Sequence, residues 1–117
     1  MTREFITYEQ ALALKELGFD EPCLATYHKE LHTIIPIYAK YTNQDVIKAP
    51  LYQQAFRWFR EKHDLEHEIL YDLGNDLTNK VYLYSIYVTD NRSEEYKTYE
   101  EAESACLDKL IEIVKKR

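Results

Sequence analysis

Residues 50–63 constrain this chain more than any other stretch, because they gather its only tryptophan and two of its four phenylalanines into one repeat. At 100° per residue, Leu51, Tyr52, Ala55, Phe56, Trp58 and Phe59 fall on one arc about 160° wide. Gln53, Gln54, Arg57, Arg60 and Glu61 share the opposite side. A helix with so aromatic a face must bury it. The expectation is that Trp58 is the keystone of the core, with Phe59 and Leu51 beside it and Pro50 preset in the first turn.

The remaining elements are read from caps and periodicity. Thr7, Tyr8, Glu9 and Gln10 form a capping box, which opens a helix whose inner side is Gln10, Ala11, Ala13, Leu14 and Leu17. Gly18 fits the left-handed position after its end, and Phe19 folds back toward Leu14. Residues 23–28 read as a short strand and residues 31–35 as a second, which Pro36 puts at an edge or ends, because proline cannot donate to a ladder. Residues 41–49 read as a surface loop. Period-two alternation through His67, Ile69, Tyr71 and Leu73 predicts another strand, and the turn formers of residues 74–79 close it. Residues 81–89 are the strongest strand candidate, apolar on both faces and so expected to be central. A turn at residues 90–93 and a short strand at residues 95–97 follow.

Thr98, Tyr99, Glu100 and Glu101 form a second capping box, opening a last helix with Tyr99, Ala102, Cys106, Leu107, Leu110, Ile113 and Val114 on its inner stripe. Glu100, Glu101 and Glu103 sit at its positive end and Lys115, Lys116 and Arg117 at its negative end, which explains both charge runs by the helix dipole. Thr7 to Ala11 and Thr98 to Ala102 match at four of five positions. Two strands entering helices through the same cap explain this better than an internal duplication does.

Composition narrows the function classes. With 117 residues, 45% hydrophobic and 31% charged, the chain suits one globular domain, residues 1–117. A net charge of -6 disfavours non-specific attraction to nucleic acid or anionic membrane. No apolar run is long enough to span a bilayer, and the first residues lack an apolar signal core. Cys23 and Cys106 stand apart, so two packed thiols in a reducing cytoplasm are expected. The 11 tyrosines are the one real excess, and such half-polar rings belong on wet sheet faces and interfaces.

Motifs with chemistry are scarce. His63 and His67 have i, i+4 spacing, as do His28 and His32, but each pair straddles a change of element, so ordinary polar histidines are expected and no metal. Asp72, Asn75, Asp76 and Asn79 lack the order of a calcium loop and suit a hairpin turn. There is no glycine-rich phosphate loop and no nucleophile elbow. Cys23 is a candidate nucleophile only if exposed, and a buried structural thiol is the plainer reading. Arg57, Arg60 and Lys62 accompany aromatics on one helix, yet the two sets point in opposite directions, which argues against a stacking surface for nucleic acid.

Three segments carry a resemblance. They are residues 9–23; Ala49 and Pro50 with residues 54–62; and residues 99–103 with Ala105, Cys106, Leu107 and residues 109–114. Together these resemble a family of small uncharacterised bacteriophage and prophage proteins. The resemblance covers the three helices and implies a phage-like, intracellular setting. It assigns no role to any residue.

The sequence therefore predicts an α+β domain, three helices packed on a small antiparallel sheet in the order α-β-β-α-β-β-β-α. The function expected is that of a non-enzymatic binding or interaction module, modulating a host protein or self-assembling, without cofactor. Alternatives are a small-ligand protein, for instance nucleotide-binding, using a tyrosine-rich sheet face, and a nucleic-acid accessory protein. The candidate interaction surface is Tyr82, Tyr84 and Ile86, which share one face of the strong strand and are expected to form an exposed stripe.

Overall fold

The computed structural model describes residues 4–36, 46–73, 80–87 and 92–117. The elements run α1 (Tyr8–Glu16), β1 (Ala25–His28), β2 (Ile34–Pro36), β3 (Val46–Ala49), α2 (Tyr52–His63), β4 (His67–Asp72), β5 (Val81–Ile86) and α3 (Tyr99–Lys115). This is an α+β fold, in the order α-β-β-β-α-β-β-α. The strands form two antiparallel sheets, β2-β1-β3 and the hairpin β4-β5, rather than the single sheet expected.

Two strand assignments change. Residues 46–49, expected in a loop, pair along β1 from Ala25 opposite Ala49 to His28 opposite Val46. Four residues are too few to display their own periodicity, so the pairing partner creates this strand. Ile47 and Ala49 turn inward and are buried. Residues 41–45 lie outside the described residues, as do the turn expected at 74–79, the strand tail at 88–89 and the first half of the turn expected at 90–93. Residues 95–97, expected to be a strand, give only an isolated bridge in which Tyr96 and Tyr82 exchange two backbone bonds of 2.7 and 2.8 Å. At the next rung the Ser93 N–H donates to the Tyr84 carbonyl (2.9 Å), but the Tyr84 N–H is accepted by the Ser93 hydroxyl (2.8 Å), so a side chain replaces one of the two backbone bonds.

The helix ends largely follow the local chemistry. Thr7 accepts the Gln10 N–H and Gln10 returns the favour to the Thr7 N–H, completing the first capping box. At the second cap the Thr98 hydroxyl accepts the Glu101 N–H (3.1 Å) and meets the Glu101 carboxylate (3.2 Å). Gly18 (φ 101°) ends α1: Phe19 N–H reaches the Leu14 carbonyl (2.9 Å) and Gly18 N–H that of Lys15 (3.1 Å), the paired bonds of a Schellman cap. A Cβ at Gly18 would touch nothing within 4 Å, so any cost of a side chain there is backbone strain alone. Gly18→Val should therefore destabilise the fold by about 2 kcal/mol. Urea unfolding checks this, and a midpoint equal to wild type contradicts it.

α2 begins two residues later than expected. Leu51 is its N-cap and Pro50 precedes it, accepting the Ile6 N–H at its carbonyl (3.1 Å). Asp64 stops the helix in the left-handed region (φ 55°), which aspartate tolerates, and the Arg117 guanidinium donates to the His63 carbonyl (3.0 Å). Inside, Tyr52, Ala55, Phe56, Trp58 and Phe59 are buried as the arc required. Trp58 stands edge-to-face with Phe19, Phe59 and His63; Leu51, expected beside it, is a half-buried cap at the other end of the helix.

α3 holds the layers together, packing on α1, on α2 and on both strands of the hairpin. Ala102, Cys106, Leu107 and Leu110 are buried as expected, and Ile111 joins them, while Ile113 and Val114 are half-buried. Tyr99 is not on the inner stripe: it is 45% exposed.

One polar group lies inside the helical layer. Gln10 is 3% exposed, and its amide is saturated. Oε1 accepts from the Thr7 N–H (2.9 Å) and the Tyr52 hydroxyl (3.1 Å), and Nε2 donates toward the Ser104 carbonyl and hydroxyl (both 3.1 Å) and the Asp108 carboxylate (2.9 Å). The partners set the amide's orientation, since a backbone N–H can only donate and a carboxylate only accept. One side chain thereby ties α1 to α2 and α3.

Candidate interaction surface

The hairpin register places His67 opposite Ile86, Ile69 opposite Tyr84 and Tyr71 opposite Tyr82. Side chains alternate along a strand, so these six share one face. Tyr82, Tyr84 and Ile86 do lie together, as their spacing required, but not as an exposed stripe. Ile86 is 1% exposed within the core, Tyr84 packs against that core and stacks on Tyr96, and Tyr82 is half-buried. This is the face that meets the helices. Half-burial suits a tyrosine, whose ring can be covered while its hydroxyl tolerates water. Leu83, on the opposite face, is buried as well.

What reaches solvent is the end of that face. Tyr71 and Tyr82 rings meet at 5.5 Å, and Tyr82 meets Tyr99 at 6.0 Å, both edge-to-face. Tyr71 is 51% exposed, so the row runs from the β4 edge across β5 to the start of α3, half-covered in the middle and open at both ends. Tyr99 also lines a cleft of about 750 Å³ with Glu4, Leu51, Tyr52, Gln53, Glu100 and Glu103. Burial, then the Glu103 carboxylate, push the Tyr99 phenol above its ordinary range, and burial, then Glu100, raise Glu103. The phenol is thus a proton donor at neutral pH beside a carboxylate-lined wall. Such a wall repels phosphate, which tells against the nucleotide alternative at this cleft.

Of these residues the sequence singled out only Tyr82. Alternation had already placed Tyr71 on a strand, but nothing local paired it with Tyr82. Tyr99 was misread because a first-turn residue sits beyond the edge of the sheet its helix covers.

The other candidate chemistries disperse. Burial pushes the Cys23 thiol up to about 11 and the Cys106 thiol to about 12, so both are protonated at neutral pH and neither is an activated nucleophile. No disulfide joins them. Among the described residues no group of three or more His, Cys, Asp or Glu side chains is arranged to hold a metal ion. His63 lies against Trp58, whereas His67 stacks on Phe56 at 3.8 Å. His28 Nδ1 accepts the Glu30 and Leu31 N–H groups (3.2 and 3.1 Å), and His32 stacks on Tyr8 at 3.6 Å. On α2 the aromatics are buried and Arg57 faces outward toward Glu21 and Glu61 (3.9 and 4.0 Å). Among the described residues no helix is long and apolar enough to cross a membrane.

His67 makes stability depend on pH. Its Nδ1 is buried with no hydrogen-bond partner, and burial, then Arg60, push its pKa from 6.5 down to about 4. The folded state keeps the ring neutral while the unfolded chain protonates near 6.5, so its contribution is complete above that pH and is lost as pH falls toward 4. With a discount for partial exposure the loss is about 2 kcal/mol. His67→Phe, which keeps the stack on Phe56, should flatten this part of the profile in denaturant titrations at pH 4 to 7. An unchanged profile contradicts the assignment.

Comparison with known proteins adds no relative: no family model, no curated protein and no solved structure matches the chain.

Proposed function

We propose that this chain is a non-enzymatic interaction module that binds a protein partner through the surface formed by Tyr71, Tyr82 and Tyr99. The observation that carries this reading is the tyrosine row itself, in which the Tyr82 ring touches both Tyr71 and Tyr99 and these outer two are near half exposure. Rigid amphipathic rings of this kind are enriched where proteins meet, since they cover area with little loss of side-chain entropy. The adjoining cleft with Glu4, Glu100 and Glu103 favours a partner that presents cationic groups. Two buried, unpaired cysteines support a reducing, cytoplasmic setting, and the resemblance of the three helices supports a phage-like one.

The test is affinity purification from the native host with the wild type and with Tyr71→Ser/Tyr99→Ser as baits, matched for folding by circular dichroism. The expected result is a protein retained in near-stoichiometric amount by the wild type and reduced at least about tenfold by the variant, as for loss of interface anchors. Equal retention by both baits overturns the assigned surface. A co-purifying small molecule with no protein overturns the reading in favour of ligand binding.

A further inference from the structure

The two edges of the hairpin are finished differently. The outer edge of β5 is met by the returning chain, through Tyr96 at Tyr82 and Ser93 at Tyr84. The outer edge of β4 has no such cover among the described residues. Tyr87 N–H donates to the Glu66 carbonyl (3.2 Å), and this sets the parity of the ladder. Glu68, Leu70 and Asp72 bond to β5, so the N–H and C=O groups of His67, Ile69 and Tyr71 point outward. All six residues pair in unbroken register, with no bulge, no proline and no lysine, so only its carboxylates guard this edge. β2, by contrast, ends on Pro36.

Charge decides what such an edge accepts. Glu66, Glu68 and Asp72 alternate along the face away from the core, and all three are exposed. Suppose a second copy paired antiparallel on the same edge. Centred on Ile69, each Glu66 would face an Asp72; shifted one step, Glu68 would face Glu68, and shifted the other way, Asp72. A parallel, in-register pair would set every carboxylate on itself. Like charges directly opposite one another destabilise a strand pair, so self-pairing is disfavoured in each register. We propose that the β4 edge takes an extended segment of another protein in which Lys or Arg alternates with apolar residues, added as a new strand. Its cations would face Glu66, Glu68 and Asp72, and its apolar side chains would lie beside Ile69 and Tyr71. This rests on the reading of the chain as an interaction module and names the partner's chemistry.

The probe is a blocked peptide of about ten residues alternating Lys with Val, with Glu-for-Lys as its counterpart, read by amide hydrogen exchange on the full chain. At saturation the Lys–Val peptide should slow the His67, Ile69 and Tyr71 amides at least about tenfold and leave the already bonded Tyr82 amide unchanged, and the Glu peptide should do neither. Tyr71→Pro removes an outward N–H without touching the ladder to β5, so it should weaken binding well beyond Tyr71→Ala, which removes the ring alone. Should Tyr71→Pro fail to fold, Glu68→Lys provides the second arm, with peptide preference expected to shift toward Glu–Val. Equal protection by both peptides, no protection at saturation, or amides already slow in the free chain each overturns the proposal. If the tyrosine substitutions release a captured partner while these amides stay unprotected, the edge proposal fails alone. If those substitutions release nothing, the tyrosine surface fails, whatever the amides do.

Discussion

Trp58→Ala should destabilise the fold by about 4 kcal/mol, a large share of the 5–15 kcal/mol typical of a small domain. The indole is 4% exposed and stands edge-to-face with three rings, Phe19 at 5.5 Å, Phe59 at 5.1 Å and His63 at 4.8 Å. These come from the end of α1 and from α2 itself, so the cavity left by truncation would be lined by rigid aromatics that collapse poorly. Trp58→Phe keeps most of the volume and should cost only about 1–2 kcal/mol. Equilibrium urea unfolding monitored by circular dichroism separates the two, because the substitution removes the sole tryptophan fluorophore. An alanine variant within about 1 kcal/mol of wild type would mean that the helical layer does not depend on this ring.

The second large effect is expected from a polar residue. Gln10→Leu should cost about 3 kcal/mol although it adds apolar volume to a buried site, because the buried Tyr52 hydroxyl loses the acceptor it donates to. Asp108 and Thr7 are exposed and can turn to water, so the loss concentrates on the buried Tyr52. Adding Tyr52→Phe removes the orphaned hydroxyl and should recover about 1 kcal/mol, giving a non-additive double-mutant cycle. Strict additivity of the two changes would show that the hydrogen bond between them carries no energy. Since the amide joins three helices, the single variant should also loosen α1, visible as faster amide exchange in its last turn.

Caps, arcs and single strong strands were legible in the sequence because each is decided within a few residues. Thr7 and Gln10 close their box from four neighbouring positions. Gly18 adopts the conformation that its lack of a Cβ makes accessible. The aromatic arc of α2 was buried wherever a partner layer existed, and the α+β class followed from the mixture of periods. Tertiary structure decided whatever depends on a distant partner. Residues 46–49 became β3 only through β1, and Ser93 interrupted what would have been a strand beside β5. The same holds for the candidate surface: alternation put Tyr82, Tyr84 and Ile86 on one face, but it carries no sign that says which face a helix will cover. That sign came from the helices, which cover the end of the hairpin where His67 faces Ile86 and leave Tyr71 and Tyr99 at the rim of the other end, because a helix shields only the part of a small sheet that it crosses.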